Sequence, residues 1–470
     1  MTWPFPAWRN VLPACACLIL LLSCIGCGGG TGRSSISTPP PPVNPVTPAP
    51  VGGIQPSFFG FQCGTGNNNC PNETWPNSTV AQPGTLRLWD SGTFWNDIET
   101  SVGQYNFATL DGWLDTIAAQ NKANVWAVPI NVIYTFGFVA CVESQSTTNQ
   151  TPKGCIYPPN DFSASLSGSA SFNNFVTALV EHCSPAGNCV KDLIKNYEMW
   201  NEPNNATFWH DTTATGELEV YRMVYPAVKI IRDNVPKATI MTMASTVDAQ
   251  YTAQWLQYEN QYPPAAGGTL SDMVVWHQYL NSGTSEVAPD DYANVSRLNG
   301  MLTAIQGVPG WATKPWEITE TGFQAYIPPY NCGFSASDCI GQMVRWQLMV
   351  LSLNSNGMAW YSWYANIGSD PNFAAAWSYM MKNVLGGTFT SACSSSDGVT
   401  WTCGFKETSG KTAQWVWSTN SSGGSSYMVP SGYSNAISFN GNTPSSPSSS
   451  APVSAGQSIN IATMPTLLEQ

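Results

Sequence analysis

Two glutamates have neighbours suited to acid–base chemistry, and each lies at the end of an apolar run. Glu202 lies in the string Trp-Asn-Glu-Pro and Glu320 in the string Ile-Thr-Glu-Thr-Gly. A carboxylic acid beside an amide and an aromatic ring can protonate a leaving oxygen while the amide hydrogen-bonds a neighbouring hydroxyl. A second carboxylate in a different environment can act as the nucleophile, and glycosidic bond cleavage uses such a pair. The alternative interpretation is a solvated Glu in the turn after a strand.

The elements that must position these two residues alternate between short apolar runs and segments with helical spacing. Eight strands, most of them followed by a helix, predict a (β/α)₈ barrel, the TIM-barrel fold of the α/β class. The predicted strands are residues 54–61, 85–90, 124–130, 197–202, 238–243, 272–279, 314–322 and 357–364.

Polar and aromatic side chains recur where the predicted strands end, and in this fold function lies at the carboxy-terminal ends of the strands. Because Glu202 and Glu320 end the fourth and seventh strands, we expect them to face one central cavity. Arg87 and Tyr279 are expected to keep Glu320 ionised, while the negative charge of Glu320 would raise the pKa of Glu202. The other candidates at strand ends are Asp90, Asn201, His277 and Trp363.

The barrel, over about residues 54–385, resembles clan A glycoside hydrolases, which are retaining β-glycosidases with the acid/base and the nucleophile on strands four and seven. The matching motifs are 200–203, 318–322, Arg87, 277–279 and the aromatic near the end of strand eight. The run 86–92 and the later Phe208-Trp209 are most similar to family 39 and its relatives. The resemblance implies that Asn201 binds the 2-hydroxyl of the sugar and that Trp363 forms the floor beneath it. It also implies a carboxyl separation of about 5–5.5 Å.

Several positions keep two interpretations. Glu317 is the rival nucleophile; alternation along the strand would place it opposite Glu320, which would lie on one face with Trp316 and Ile318. Trp360 is the alternative floor. Trp209 is expected to bind substrate, and Asp90 is either a substrate contact or a strand cap. His210 and Asp211, in a loop, are either substrate contacts or solvated residues. His182, in a helix, is expected to be structural.

Helical periodicity stops after about residue 385, and short alternating runs separated by Gly, Ser and Asn follow. They predict a small β-sandwich over residues 386–470, with a Ser/Pro insertion near 443–451. We expect a structural side domain, with a carbohydrate-binding module as the alternative. The catalytic barrel is predicted to span residues 53–385. The tail at 462–468 resembles the final strand of the side domain in these enzymes.

The N-terminus predicts export. Residues 1–27 read as a signal peptide that ends in an imperfect lipoprotein box, so Cys24 or Cys27 would carry a lipid. An ordinary secretory signal is the alternative. Residues 28–52 are rich in Gly, Ser and Pro and predict a tether. The protein is therefore expected in a bacterial cell envelope or outside the cell.

Four of the fourteen Cys residues lie in the predicted signal peptide, and the other ten fall in five close pairs. In an exported chain such pairs argue for disulfides. Sequence does not fix their connectivity, but local pairing is the expectation. The predicted pairs are Cys63–Cys70, Cys141–Cys155, Cys183–Cys189, Cys332–Cys339 and Cys393–Cys403.

Composition narrows the function further. The net charge is −12 and charged residues make up only 10% of the chain, which argues against nucleic acid, anionic membranes and polyanions as partners, although a local basic pocket could override this for a substrate. Patterns for metal, phosphate or serine-hydrolase sites are absent, so we expect no metal and no cofactor. The expected protein is a monomeric retaining hydrolase of β-linked neutral glycans. The alternatives are a transglycosylase of envelope glycans and a non-catalytic glycan-binding lipoprotein on the same barrel.

Overall fold

Eight parallel strands form the centre of the computed structural model, which describes residues 52–62, 83–123, 128–282, 285–323, 336–361, 371–441 and 447–470. The proposed signal peptide, the tether up to residue 51, Trp363, Cys63, Cys70 and Cys332 lie outside the described residues. We number the strands β1 to β8; β5 has two segments. They are Phe59–Gln62, Thr85–Leu88, Asn131–Thr135, Asn196–Glu198, Thr239–Met241 with Ser245–Thr246, Val274–His277, Trp316–Thr321 and Gly357–Trp360.

The sheet closes on itself. Every neighbouring pair from β1 to β8 is parallel, and β8 pairs with β1 through Phe59 and Met358. The first segment of β5 pairs with β4, whereas the second segment pairs with β6. The two segments therefore complete the circle, which confirms the predicted (β/α)₈ barrel.

Helices follow the strands on the outside of the barrel. We label them α1 to α9: Trp95–Ile98, Ala108–Ala123, Ala170–Glu181, Val190–Leu193, Ala214–Asn234, Ala249–Gln261, Tyr292–Gly307, Ala336–Ser352 and Pro371–Val384. Side-chain caps fix several of their starts. Ser169 accepts from the Phe172 amide, Asp248 from the Tyr251 amide and Asp291 from the Ala293 amide. Each cap pairs an amide that the helix itself leaves unpaired. Within the described residues no helix is long and apolar enough to cross a membrane.

The third strand differs from its prediction. The run 124–130 is its predicted position; residues 124–127 lie outside the described part of the chain, residues 128–130 are not in a strand, and β3 begins at Asn131. Pro129 has no amide to donate to a sheet, and the ladder starts only beyond it, where the Asn131 amide donates to the Gly84 carbonyl at 2.8 Å. On β3, the side chain of Ile133 lies in the interior of the barrel and packs with Met241 and Val275.

In the described residues from 388 onward, nine antiparallel strands follow the barrel, here β9 to β17. They are Thr388–Phe389, Ser394–Ser395, Thr400–Lys406, Thr412–Ser418, Ser425–Met428, Asn435–Phe439, Ser448–Pro452, Ser458–Ile461 and Thr466–Glu469. β13 and β16 form a two-stranded sheet, and the other seven form the second sheet. The predicted Ser/Pro insertion contains β15, which lies at the edge of the large sheet, where a Pro is tolerated.

The large sheet packs on both faces. Val416 and Leu468 meet Val429 and Ile461 between the two sheets, as in a sandwich. Residues on the opposite face, such as Trp415, belong to the same hydrophobic core as the barrel helices. All the described residues belong to one compact unit. The boundary at residue 385 therefore remains a prediction.

Hydrogen bonds join the barrel to this domain. On α9, the Tyr379 hydroxyl reaches the carbonyl oxygens of Ile437 and Pro465, each at 3.0 Å. On the loop before α7, the buried Asp290 carboxylate accepts from Arg345 at 2.6 Å and from the Trp417 indole at 2.9 Å. The domain thus contacts both a barrel helix and the loop that follows β6.

Three of the predicted disulfides are present: Cys141–Cys155, Cys183–Cys189 and Cys393–Cys403. The other two predicted pairs include residues outside the described part of the chain. Cys141–Cys155 closes a loop beyond β3, and the ring of Phe138 before this loop stacks on Trp89. This bridge therefore stabilises a loop beside the carboxy-terminal end of the barrel.

Candidate active site

Arg87 is the fully buried cation at the carboxy-terminal end of the barrel. Its Nη2 and Nε donate to the two carboxylate oxygens of Glu198 at 2.5 and 3.3 Å, which makes a bidentate pair. Nη1 donates to Glu320 at 2.7 Å and to Gln62 at 2.8 Å, and Nη2 also donates to Asn201 at 2.7 Å. Burial alone would lower the pKa of Arg87, but the carboxylates of Glu198 and Glu320 raise it. One guanidinium thus holds four side chains from three strand ends, those of β1, β4 and β7.

Glu320 lies on β7, where the pairing register with β6 shifts between Ile318 and Glu320. Its Oε2 accepts from Arg87, and its Oε1 accepts from the Tyr279 hydroxyl. Burial would raise the pKa of Glu320, but His277, Arg87 and these hydrogen bonds together lower it. Glu320 is therefore the carboxylate that this site keeps ionised.

The register shift corrects the expected alternation along β7. Glu317 pairs with Val275, whose side chain lies in the barrel interior. Glu320 pairs with His277 and also faces the interior, so both glutamates lie on one side of the strand while Trp316 and Ile318 lie in the outer hydrophobic core. The extra residue of a β-bulge reverses the alternation beyond it.

Glu317 is buried below the level of Glu320. Gly357 on β8 makes room for it, since a Cβ there would come within 1.9 Å of Glu317 Oε1. Burial, with a smaller effect of the Glu198 charge, raises the pKa of Glu317 to about 8. A buried acid that is protonated near neutrality is a poor nucleophile, which favours Glu320 over Glu317 in that role.

Glu202 lies on the loop after β4 in the left-handed backbone region, with φ of 44°. That conformation is costly for a residue with a side chain, and it persists here because the Glu202 amide donates to the Ala244 carbonyl at 2.7 Å. Its Oε1 shares a hydrogen bond of 2.7 Å with His277 Nδ1, and its Oε2 accepts from Asn205 at 3.1 Å. The backbone and both neighbours therefore fix this carboxyl group.

Glu202 and Glu320 are close enough for their carboxylates to contact the same bound group. One oxygen from Glu202, one from Glu320 and one nitrogen of His277 all lie within 4.8 Å of one another. Three such donors could also hold a metal ion. However, Arg87 already lies 2.7 Å from the Glu320 oxygen, and a second cation beside it would be repelled. The donor set therefore fits a metal poorly.

These side chains open into a cavity of about 490 Å³ at the carboxy-terminal end of the strands. Its volume is in the range of small-molecule sites. The residues that line it are Glu202, Asn205, Thr207, Phe208, Thr246, Val247, His277, Tyr279, Asn281, Arg297 and Glu320.

Asp90 lies at the rim of the same end of the barrel. It forms an ion pair with Lys153, and its Oδ2 accepts from the Tyr361 hydroxyl at 2.7 Å. Tyr361 in turn packs against Tyr279 with ring centroids 6.4 Å apart. Asp90 therefore connects the loop closed by the Cys141–Cys155 bridge to the end of β8.

Other sequence candidates lie apart from the cavity. Trp209 is fully buried and packs against Trp200, so the neighbouring Phe208 provides the aromatic surface in its place. Trp360 is also fully buried and packs against Phe323, which excludes it as an exposed floor. Every Trp among the described residues is buried. Trp363 lies outside them.

The loop candidates are held by protein partners. His210 Nε2 lies 2.9 Å from a Glu219 oxygen, and its ring stacks on Tyr157. Asp211 accepts from the Thr213 amide, 2.9 Å away, at the start of α5. His182, expected to be structural, lies 2.5 Å from Asp111.

Sequence reasoning missed several residues of the site. A charge inside an apolar strand was the available signal for Glu198, because a buried carboxylate requires a partner. Gln62 gave a weaker signal as a polar residue at the end of β1. Phe208 gave a signal only as part of the Phe208-Trp209 motif, in which Trp209 was the predicted contact. Asn205 and Arg297 gave none, since only the fold brings their loop and helix to the cavity.

Comparisons with known proteins bear on the fold. No family model matches the chain. A β-xylosidase of Geobacillus stearothermophilus is 26% identical over 130 residues, which span 27% of this chain and 22% of that protein. The catalytic domain of a family 30 xylanase from Talaromyces cellulolyticus covers 91% of this chain and 99% of its own, with a TM-score of 0.51 and 13% identity.

Two further solved structures have similar coverage. A family 44 endoglucanase from Clostridium thermocellum has a TM-score of 0.55 at 13% identity and covers 89% of this chain and 97% of its own. A family 51 arabinofuranosidase from Xanthomonas axonopodis pv. citri has a TM-score of 0.53 at 10% identity and covers 90% and 97%. The chain has the fold of these glycoside hydrolases. The similarity extends through both the barrel and the C-terminal β-domain, and the resemblance to family 39 remains a prediction.

Proposed function

We propose that this protein is an exported retaining glycoside hydrolase that cleaves β-linked sugars by double displacement. The observation that carries the proposal is the pair of glutamates with one oxygen each within 4.8 Å. Retaining enzymes hold their two carboxyl groups about 5–5.5 Å apart, whereas inverting enzymes leave room for a water at about 6.5–9.5 Å.

Glu320 is the proposed nucleophile. Arg87, Tyr279 and His277 favour its ionised form, so that it can attack the anomeric carbon as the bond to the leaving oxygen breaks. Glu202 donates its proton to that oxygen. The products of this step are a glycosyl ester on Glu320 and the released alcohol.

Water completes the reaction. Glu202, now a carboxylate, accepts a proton from the water that attacks the anomeric carbon, and Glu320 leaves as a carboxylate. His277 and Asn205 hold the two oxygens of Glu202, so this group can serve in both steps without moving far.

Asn201 is the proposed contact to the 2-hydroxyl. Arg87 can only donate, so the amide oxygen of Asn201 must face it, and the amide nitrogen is directed elsewhere. That nitrogen can donate to a sugar hydroxyl. Phe208 and Tyr279 offer aromatic surface for the apolar face of a sugar ring.

The first test is release of reducing ends from a panel of neutral plant, fungal and bacterial polysaccharides, with Glu320→Gln beside the wild type. Release by the wild type alone would support the proposal and identify the substrate class. Asp211→Asn is a matched control, because it makes the same kind of change at a carboxylate that accepts from the Thr213 amide, outside the cavity lining. Equal release by the wild type and Glu320→Gln would overturn the assignment of the nucleophile.

The second test separates the roles of the two carboxylates. Glu202→Ala should retain activity on aryl glycosides with good leaving groups, which need no protonation, and added azide should increase its rate. Proton NMR of the first product formed by the wild type should show the β-anomer. An equal loss on all leaving groups, or an α-anomer as first product, would contradict the mechanism.

Export also belongs to this proposal. Three disulfides agree with an oxidising compartment, since such bridges are rare in the cytosol. Labelling with a radioactive fatty acid would test the lipid anchor, with Cys24→Ser and Cys27→Ser as single variants. Loss of label from one of them would identify the modified residue.

A further inference from the structure

Arg297 on α7 lines the cavity that contains Glu202 and Glu320. Its Nη1 donates to Asn281 Oδ1 at 2.6 Å, and its Nη2 donates to Asn294 Oδ1 at 2.5 Å. Longer or additional bonds reach the carbonyl oxygens of Tyr279, Asn281 and Ala293. Every acceptor is a neutral oxygen.

Among the described residues, no carboxylate pairs with the charge of Arg297. Its described contacts include no carboxylate within ion-pair distance, unlike the two more deeply buried arginines, Arg87 and Arg345, which bind carboxylates directly. Burial lowers the pKa of Arg297 and only the more distant Asp291 opposes this effect. A guanidinium has five N–H groups, and one hydrogen of Nη1 has no acceptor among the contacts described above.

We propose that Arg297 binds an anionic group on the substrate, so that the enzyme prefers glycans that carry a carboxylate or a sulfate near the scissile bond. This inference rests on the proposed hydrolase function and differs from the sequence-based prediction of a neutral substrate. The remaining Nη1 hydrogen and the positive charge suit both anions, because each offers charged oxygens that can accept a charge-assisted hydrogen bond.

The charges in the cavity restrict where an anionic group can bind. The cavity also contains two glutamates, of which Glu320 is kept ionised, so an anion placed near them would be repelled. The anionic group must therefore lie at the α7 side of the cavity while the neutral sugar occupies the position between the glutamates. The substrate class is a glycan in which acidic residues or substituents flank neutral ones.

The competing role for Arg297 is purely structural, as a clamp on the loop that carries Tyr279 and Asn281. A clamp would lower activity on every substrate to the same degree. An anion-binding residue would change the ratio of activities on acidic and neutral substrates. That ratio is the quantity to measure.

The experiment uses the full-length protein and matched polysaccharides: uronic-acid-containing polymers before and after reduction of their carboxyl groups, and sulfated polymers before and after desulfation. The wild type should have a higher kcat/KM on the acidic member of one pair, and Arg297→Gln should remove about 10- to 100-fold of that ratio, as expected for a hydrogen bond between charged groups. Arg222→Gln, on α5 and outside the cavity lining, should keep the wild-type ratio. The pair that responds distinguishes carboxylate from sulfate.

Two results would overturn the inference. One is an equal kcat/KM for both members of every pair; the other is a loss in Arg297→Gln that is the same for both members. In either case hydrolysis of the neutral members would leave the proposed function intact. The proposed function and the inference about Arg297 would both be contradicted by a combination of two results. The wild type would hydrolyse none of the polymers, and Glu320→Gln would not bind the acidic polymers in affinity electrophoresis.

Discussion

Replacing Tyr279 with Phe removes one hydroxyl and keeps the ring that packs against Tyr361. The hydroxyl donates to Glu320 Oε1 and so stabilises the ionised carboxylate. Without it the pKa of Glu320 rises, and the acidic limb of the pH–rate profile moves to higher pH. The sign follows from the mechanism, because the reaction requires ionised Glu320.

The size of the effect depends on pH. A hydrogen bond to a charged group contributes about 1.5–3 kcal/mol, which corresponds to a factor of about 10 to 100 in the equilibrium between the two protonation states. Well below both pKa values of Glu320, wild type and variant, the ionised fraction therefore falls by that factor. Well above both values it is unchanged, so the loss of activity should disappear as pH rises.

The assay is kcat/KM against pH, which reports the ionisations of the free enzyme. A substrate with a good leaving group should be used, so that protonation by Glu202 does not limit the rate. Tyr361→Phe is the matched control, because it removes a hydroxyl from the same aromatic cluster but one that donates to Asp90. A loss in Tyr279→Phe that is constant at every pH would refute the reasoning, as would an equal shift of the acidic limb in Tyr361→Phe.

Three further predictions concern the support of the site. Because the pKa of Glu317 is raised in the folded protein, its contribution to stability is complete below the ordinary pKa of 4.5 and is lost as pH rises to about 8. Glu317→Gln should therefore reduce the loss of stability between these pH values, as measured by urea unfolding at several pH values. Arg87→Lys should lower kcat/KM at least 100-fold and the free energy of unfolding by about 1.5–3 kcal/mol, because an ammonium group cannot replace the bidentate pair; an unchanged midpoint in urea would contradict this. Replacing both Cys141 and Cys155 with Ser should lower the free energy of unfolding by about 3 kcal/mol through loop entropy, and equal thermal unfolding of the variant and the wild type would argue against it.

The sequence predicts the barrel well because its strands are apolar runs buried on both faces, and such runs are visible without any tertiary information. The same holds for the polar residues at their ends. Positions at the ends of apolar runs predict Arg87, His277, Tyr279 and Glu320 as site residues, and the structure brings their side chains into contact.

What the sequence could not predict depends on register and on burial. The bulge before Glu320 is a single extra residue, and it reverses which side of β7 faces the interior. An apolar run did not show that β3 begins after Pro129. The burial of Trp209 was equally invisible, because an aromatic residue near the site motif has the same appearance whether it packs inward or faces a ligand.

Asp290 gives the C-terminal domain a relation to the site that sequence could not suggest. The loop that contains it leads into α7, the helix that carries Arg297, and its carboxylate is held jointly by the barrel and by Trp417 of the domain. Removal of the domain would leave Asp290 without one of its two described partners and expose the face of α9 that the sheet covers. The domain is therefore not an interchangeable module, and exchange for a foreign binding domain would require a new contact for Asp290.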